Sequence, residues 1–162
     1  MKSDPKTLDR IHNHLLTLKL SEIRKILDSE LAHAAQKALP PTELLERLLA
    51  IEVHTRTERR IERRIKEARL VERKLLTDFD FDFQTGLDKA QILELASLDF
   101  VARKQGLILA GNSGTGKSHL AKALLLIGCK QLYRCRYTTA ADMLTHLLSG
   151  LADQSLPKKL KL

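Results

Sequence analysis

A glycine-rich loop near the middle of the chain constrains its fold more than any other feature. The loop fits the Walker A pattern Gly-x4-Gly-Lys-Ser, whose glycines let successive backbone N–H groups turn inward onto phosphate oxygens. The lysine of this pattern reaches the β- and γ-phosphates, and the serine hydroxyl is a ligand of Mg²⁺. The pattern predicts binding of ATP and Mg²⁺. The predicted phosphate-binding residues are Gly111, Asn112, Ser113, Gly114, Thr115, Gly116, Lys117 and Ser118, with Ser118 as the metal ligand.

The segments on either side of the loop predict an α/β fold. The apolar run Gly106–Ala110 is typical of a strand that is buried on both faces. A helix over 119–131, a second strand over Arg134–Thr138 and a helix over Ala140–Ser149 are expected to follow. Strand, P-loop, helix, strand and helix in this order are the first part of a parallel α/β sheet. We therefore expect a partial P-loop domain over 89–162.

The first 76 residues predict an all-helical N-terminal domain. Asp4 and Pro5 are expected to open one helix, and Ser21 a second. Pro40–Pro41 ends the second helix, because a proline restricts the residue before it. Thr42 is expected to cap a third, longer helix.

A linker is expected over residues 77–88. Asp and Phe alternate between Thr77 and Gly86, which in an extended strand places the three phenylalanines on one side. We expect that side to dock on the following domain. Asp88 with Gln91 resembles a capping box that opens a helix reaching Phe100.

A basic stripe is predicted on the third helix of a chain whose formal net charge is +8. The two interpretations that remain open are a phosphate-contacting DNA surface and a solvated face with ion pairs such as Glu52–Arg56 and Glu62–Lys66. The four arginines of the stripe are Arg56, Arg60, Arg63 and Arg64.

Phosphate binding by itself does not predict hydrolysis. Hydrolysis also needs an acid at the end of another strand. After Ser118, no apolar run ends in Asp or Glu, and Asp142 and Asp153 lie in helical or loop contexts, so no catalytic residue is predicted. His119 could approach a phosphate or could simply start the helix. With no signal peptide or membrane span expected, and with Cys129 and Cys135 expected as reduced thiols, the predicted location is the cytoplasm.

Several segments resemble the IstB-type transposition helper ATPases. They include the loop with its continuation His-Leu-Ala-Lys-Ala-Leu, the run Glu-Arg-Arg-Ile-Glu-Arg-Arg-Ile-Lys, the Asp-Phe repeat, Leu-Glu-Leu-Ala-Ser-Leu-Asp-Phe and Thr-Ala-Ala-Asp-Met-Leu. The resemblance runs from about Leu15 to the C-terminus, and the DnaC helicase loaders are similar but weaker matches.

The resemblance implies an AAA+ fold, ATP-dependent self-association of the full-length family member on DNA, and delivery of target DNA to a transposase of the same element. By analogy with related ATPases, it places Phe79, Phe81 or Phe83 near the adenine. It also implies a truncated form that ends before the Walker B strand, in which Leu107–Ala110 lacks both neighbouring strands. Two alternatives stay open: a DnaC-like helicase loader, and a non-enzymatic DNA- or partner-binding module with a vestigial loop.

Overall fold

The computed structural model describes residues 5–83, 86–152 and 154–159. Within these ranges all regular secondary structure is helical, and none of the helices has the length and apolarity needed to cross a membrane. A 3₁₀ turn over Leu76–Asp78 lies between the third and fourth helices. The helices are α1 Pro5–Thr17, α2 Ser21–Lys37, α3 Pro41–Glu67, α4 Lys89–Leu95, α5 Asp99–Ala102, α6 Lys117–Lys130, α7 Ala140–Ala152 and α8 Leu156–Lys159.

The chain divides into two compact units, Met1–Arg60 and Ile61–Leu162. The division falls inside α3, so the last part of this helix belongs to the second unit. The predicted domain boundaries stay predictions. They place a helical domain over 1–76, a linker over 77–88 and an ATP-binding domain over 89–162.

The first unit has helix boundaries close to those predicted. α1 begins at Pro5 and α2 at Ser21, whereas the predicted cap Asp4 lies outside the described residues. The third helix begins at Pro41, so Thr42 lies inside it and is not its cap. Apolar positions at helical spacing form the core of the unit, as expected for amphipathic helices. The buried residues of this core are Ile23, Leu27 and Leu48, and Leu8, Leu15, Leu20, Ile26, Leu31 and Leu44 pack around them.

The second unit is organised around α6, which contributes to two apolar clusters. In one, Leu126 and Cys129 pack against Ile65, Ala68 and Leu70 at and beyond the end of α3. In the other, Leu120 packs against Phe79 and Ile92. The loop that leads into the N-terminus of α6 is therefore attached to a helix that packs in both clusters.

The structure corrects the prediction of two strands. Gly106–Ala110 and Arg134–Thr138 are neither helix nor strand, and no strand occurs in the part of the chain that the structure describes. A strand exists only when a neighbouring segment pairs with its backbone, and an apolar run cannot supply that neighbour. The predicted strand–loop–helix–strand–helix layout is therefore reduced to loop and helices.

The structure also corrects the prediction for the alternating Phe/Asp segment, which does not form an extended strand. A 3₁₀ turn precedes Phe79, and the carboxylate of Asp80 accepts hydrogen bonds from the backbone N–H groups of Asp82 at 3.0 Å and Phe83 at 2.9 Å. Aspartate side chains favour such local turns over a strand. Gln84 and Thr85 lie outside the described residues.

Asp88 caps α4 as predicted. Its carboxylate accepts a hydrogen bond from the N–H of Ala90 at 2.8 Å. The helix that it opens ends at Leu95, however, and Phe100 lies on the separate helix α5.

Candidate nucleotide-binding site

Three glycines of the loop adopt backbone conformations that other residues avoid. Their φ angles are 151° at Gly111, 82° at Gly114 and 81° at Gly116. Gly116 is restricted further, because a Cβ built there would lie 2.5 Å from Cε2 of Phe79. The glycines of the Walker A pattern thus stand where the backbone requires them.

The Lys117 ammonium group folds back over the loop. Its Nζ donates to the carbonyl oxygen of Asn112 at 2.5 Å and to the hydroxyl of Thr115 at 3.3 Å. The Thr115 hydroxyl itself donates to the same carbonyl at 2.9 Å. These contacts hold a positive charge at the concave side of the loop, where an anion would be stabilised.

The N-terminus of α6 adds to this electrostatic preference. The helix begins at Lys117. Its N-cap residue is Gly116, and no side chain caps the helix by accepting a hydrogen bond from the first turn. Free N–H groups and the helix dipole make such a terminus an anion-binding position. The exposed Ser118 hydroxyl has no hydrogen-bond partner within the described ranges, so it is available as a metal ligand. The loop, the lysine and the serine therefore fit a Mg²⁺-bound triphosphate.

The residues just before the P-loop domain support the loop through contacts that the sequence did not reveal. Nε2 of His119 lies 2.8 Å from the carbonyl oxygen of Leu75. The His119 ring also meets Phe79 edge to face at 5.4 Å, and Phe79 meets Phe81 in the same way at 4.9 Å. Of the two interpretations of His119, these contacts support a helix-start residue with a structural role.

The three phenylalanines of the Asp-Phe segment have different environments. Phe79 is buried behind Gly116, Phe81 is half-buried, and Phe83 is 75% exposed. None of the three lines the cavity of about 410 Å³ that adjoins the loop. That cavity is bordered by Gly111, Thr115 and Lys117 on the loop side and by apolar residues on the other. Its apolar lining includes Leu87, Ile92, Leu95, Leu107, Leu109 and Leu120, together with the polar Gln91.

The sequence of this chain is similar to those of known proteins. Residues 13–161 match the family described as IstB-like ATP binding protein. The chain belongs to this family. Membership in it implies a P-loop NTPase, although no strand occurs among the described residues.

Several IstB-like relatives are named for insertion sequences and for ATP binding. A protein of insertion sequence IS21 from Pseudomonas aeruginosa is 35% identical over 91% of this chain and 56% of its own length. A protein of IS5376 from Geobacillus stearothermophilus is 31% identical over 94% and 61%. An insertion-sequence protein of Mycobacterium tuberculosis is 31% identical over 93% and 60%. The chain thus spans little more than half the length of these relatives.

Within the described residues of this IstB-like chain, two of the four arginines of the stripe form ion pairs. Arg56 pairs with Glu52 at 2.9 Å, as predicted, and Arg64 pairs with Glu67 at 3.0 Å. Arg60 and Arg63 are exposed and have no ion-pair partner among the described residues. The predicted Glu62–Lys66 pair is wrong.

Glu62 binds a residue beyond the end of α3 instead. Arg73 donates to both of its carboxylate oxygens, at 2.9 and 2.7 Å. These hydrogen bonds lower the pKa of Glu62 and raise that of Arg73. The pair borders a groove of about 600 Å³ in the second unit. Four cationic residues line this groove, namely Arg63, Lys66, Arg69 and Arg73.

Other residues weighed from the sequence have structural environments. The Asp142 carboxylate accepts a hydrogen bond from the Thr139 hydroxyl at 2.7 Å at the start of α7, and Asp153 lies outside the described residues. Both cysteines are free thiols, and burial raises the pKa of Cys129 to about 11. No group of three His, Cys, Asp or Glu side chains within the described ranges could hold a metal ion.

Proposed function

We propose that this chain binds Mg²⁺–ATP through residues 111–118 and acts, in the cytoplasm, as the ATP-binding helper of a DNA transposition system. The observation that carries the proposal is the Lys117 ammonium held over a glycine loop at the uncapped N-terminus of α6. The names of the relatives support the nucleotide and the insertion-sequence context.

Each part of the loop has a distinct task in this proposal. The N–H groups of the loop and of the first turn of α6 bind the phosphate oxygens, and Lys117 leaves Asn112 to contact the β- and γ-phosphates. Ser118 binds Mg²⁺, which neutralises phosphate charge when bound. No residue of the described chain is assigned to hydrolysis.

The base is proposed to occupy the cavity beside the loop. The apolar side chains of Leu87, Ile92 and Leu95 suit the faces of a purine, and Gln91 offers an amide at the rim. Phe79 would then act behind the loop and not against the base, since it already fills the space at Gly116. Phe81 and Phe83 do not line this cavity, so contact of either ring with the adenine is the alternative placement of the base.

DNA is proposed to bind through phosphate contacts on α3 and just beyond it. Arg60 of the first unit and Arg63 of the second are the phosphate contacts that we most expect, because no carboxylate pairs with either guanidinium within the described ranges. Arg56 and Arg64 are proposed as weaker contacts, since Glu52 and Glu67 already engage them. Exposed Lys66 and Arg69 extend the positive surface of the second unit.

The proposal is tested by asking which partner the chain retains on DNA. The chain and immobilised duplex DNA are incubated with Mg²⁺–ATP and either the transposase of the neighbouring reading frame or the replicative helicase. Retention of the transposase with wild-type chain, and its loss with Lys117→Ala, is the expected result.

Two other results would contradict the proposal. Retention of the helicase alone would favour the loader alternative. DNA binding that ignores both nucleotide and partner would favour a non-enzymatic module with a vestigial loop.

A further inference from the structure

The groove at the end of α3 carries an excess of positive charge. Its volume is about 600 Å³, and Glu62 is the one carboxylate among the four cationic side chains that line it. Glu62 is already held by Arg73 through hydrogen bonds of 2.9 and 2.7 Å. The other three cations, Arg63, Lys66 and Arg69, are exposed and form no ion pair within the described ranges. A ligand of this groove should therefore bring negative charge.

A sharp turn just after α3 forms the two walls of the groove. Arg69 has a left-handed backbone with a φ of 55°, and its N–H donates to the carbonyl oxygen of Lys66 at 3.1 Å. The hydrogen bonds between Arg73 and Glu62 then hold the residues that follow the turn alongside the last turns of the helix. One wall is thus the end of α3, and the other is the segment 70–73. Both walls belong to the second unit.

The groove also has apolar surface and free backbone groups. Ile65 and Leu70 line it as buried apolar side chains, and Val71 lines it as an apolar side chain that is 97% exposed. The backbone N–H and C=O groups of Glu72 and Arg73 form no hydrogen bond in the part of the chain that the structure describes. An exposed β-branched side chain next to unpaired backbone groups suits an extended polypeptide.

We propose that this groove binds an extended acidic segment of a partner protein, in which carboxylates lie on both sides of an apolar side chain. The carboxylates would pair with Arg63, Lys66 and Arg69. The apolar side chain would cover Val71, and the backbone of the segment would hydrogen-bond to residues 72–73. Complementary charge decides the class of ligand. The inference does not depend on nucleotide binding or on a role in transposition.

Duplex DNA suits the interior of this groove less well. A phosphodiester backbone brings no apolar group to Val71 and no N–H donor to the free carbonyl oxygens of residues 72–73. The carboxylate of Glu62 would also repel phosphates. Since DNA is proposed to reach Lys66 and Arg69 as well, DNA and the acidic segment should compete for these two side chains. Binding of the segment is therefore measured without DNA.

Fluorescence anisotropy with short labelled peptides tests the proposal. The probe is Asp-Glu-Leu-Asp-Glu with an amidated C-terminus. Asn-Gln-Leu-Asn-Gln lacks its charges, and Asp-Glu-Ser-Asp-Glu lacks its apolar side chain. We expect the chain to bind the probe on the order of tenfold more tightly than either control peptide. Lys66→Gln/Arg69→Gln should weaken binding of the probe on the order of tenfold, and Val71→Ser should remove its advantage over the serine peptide.

Arg103→Gln/Lys104→Gln is the matched control. Both residues are exposed cations of the same unit, and neither lines the groove. Lys104 has a φ of 56°, close to the 55° of Arg69. The two double variants therefore remove the same charge, and each changes one residue with a left-handed backbone. The control variant should bind the probe as tightly as wild type.

The contradicting results are equally specific. No measurable binding of the probe, or equal binding of the probe and either control peptide, would overturn the proposal. Equal losses of affinity from the two double variants would overturn it as well, because the attraction would then come from the charge of the whole chain. If Lys66→Gln/Arg69→Gln weakens binding of duplex DNA but not of the probe, the groove belongs to the DNA surface instead.

Discussion

Gly116 is restricted by its own backbone conformation and by the Phe79 ring that lies against it. A side chain at a φ of 81° costs about 1–2 kcal/mol, and a Cβ at 2.5 Å from the buried ring forces a further shift worth about 1–3 kcal/mol. We therefore expect Gly116→Ala to lower the free energy of unfolding by the sum of both terms, as measured by urea denaturation.

Gly114→Ala separates the two terms. Gly114 has nearly the same φ, 82°, but a Cβ there would meet no atom within 4 Å. Its substitution should cost only the backbone term. Equal losses for the two variants would show that the contact with Phe79 does not restrict the loop.

Glu52 caps a helix that is distant from it in sequence. Its Oε2 accepts hydrogen bonds from the N–H groups of Glu22 at 2.9 Å and Ile23 at 3.2 Å at the start of α2, and its side chain is buried. Glu52→Ala should lower the free energy of unfolding by about 1–3 kcal/mol, because it leaves the buried N–H of Ile23 and the half-buried N–H of Glu22 unpaired. Glu52→Gln should cost less, since an amide oxygen can still accept.

The contribution of Glu52 should also depend on pH. Burial opposes its ionisation, but the hydrogen bonds from Ile23 and Glu22 and from Arg56 outweigh burial and lower the pKa below 4.5. Because the folded-state pKa is depressed, the stabilisation is present above about pH 4.5 and is lost as pH falls through the folded-state pKa. The stability difference between wild type and Glu52→Gln should shrink between pH 7 and pH 3. A difference that stays constant would contradict this role.

At the scale of elements, α3 presents the arginines that are proposed to bind DNA. If all four contacted phosphates, log K against log salt would have a slope near roughly −3.6, and two contacts would give roughly −1.8. We expect the double variant Arg60→Gln/Arg63→Gln to flatten the measured slope by about 1.8, since glutamine preserves the helix. Fluorescence anisotropy of labelled duplex DNA over a salt series measures it.

The double variant Arg56→Gln/Arg64→Gln is the matched control. Its guanidinium groups are engaged by Glu52 and Glu67, so their loss should change the slope much less. Equal changes from both double variants would mean that the ion pairs open on DNA. No change from either would leave the stripe as a solvated face.

Helices could be predicted from the sequence because their signals are local. Pro5, Ser21 and Asp88 mark helix starts, and apolar residues at helical spacing mark the buried faces. Strands could not be predicted in the same way, because an apolar run such as Leu107–Ala110 becomes a strand only beside a partner. The Asp-Phe alternation was misleading because Asp80 bonds its own neighbouring backbone.

The candidate site could also be predicted only where its signals are local. The phosphate loop is contiguous, so its eight residues could be proposed from the sequence directly. Its supports come from elsewhere in the chain: Leu75 holds His119, and Phe79 fills the space at Gly116. Neither contact has a sequence spacing that would reveal it. The capping of α2 by Glu52 could not be predicted for the same reason.

At the scale of the whole molecule, the proposed functions are distributed over the two units. The loop lies in the second unit, and the proposed DNA contacts lie on α3, which contributes to both. The second unit also ties the segment after α3 to α6, since Lys122 donates to Glu72 at 2.8 Å. This contact raises the pKa of Lys122 and lowers that of Glu72. The central claim, however, concerns the loop alone.

Equilibrium binding of a fluorescent ATP analogue in the presence of Mg²⁺ tests that claim most directly. Lys117→Ala removes the charged donor to the phosphates, worth about 1.5–3 kcal/mol, so the Kd should rise by roughly 10- to 150-fold. Lys130→Ala removes an exposed lysine from the other end of the same helix and should leave the Kd unchanged. Equal affinity of wild type, Lys117→Ala and Lys130→Ala, or no binding by wild type, would contradict the assignment of residues 111–118 as the ATP phosphate site.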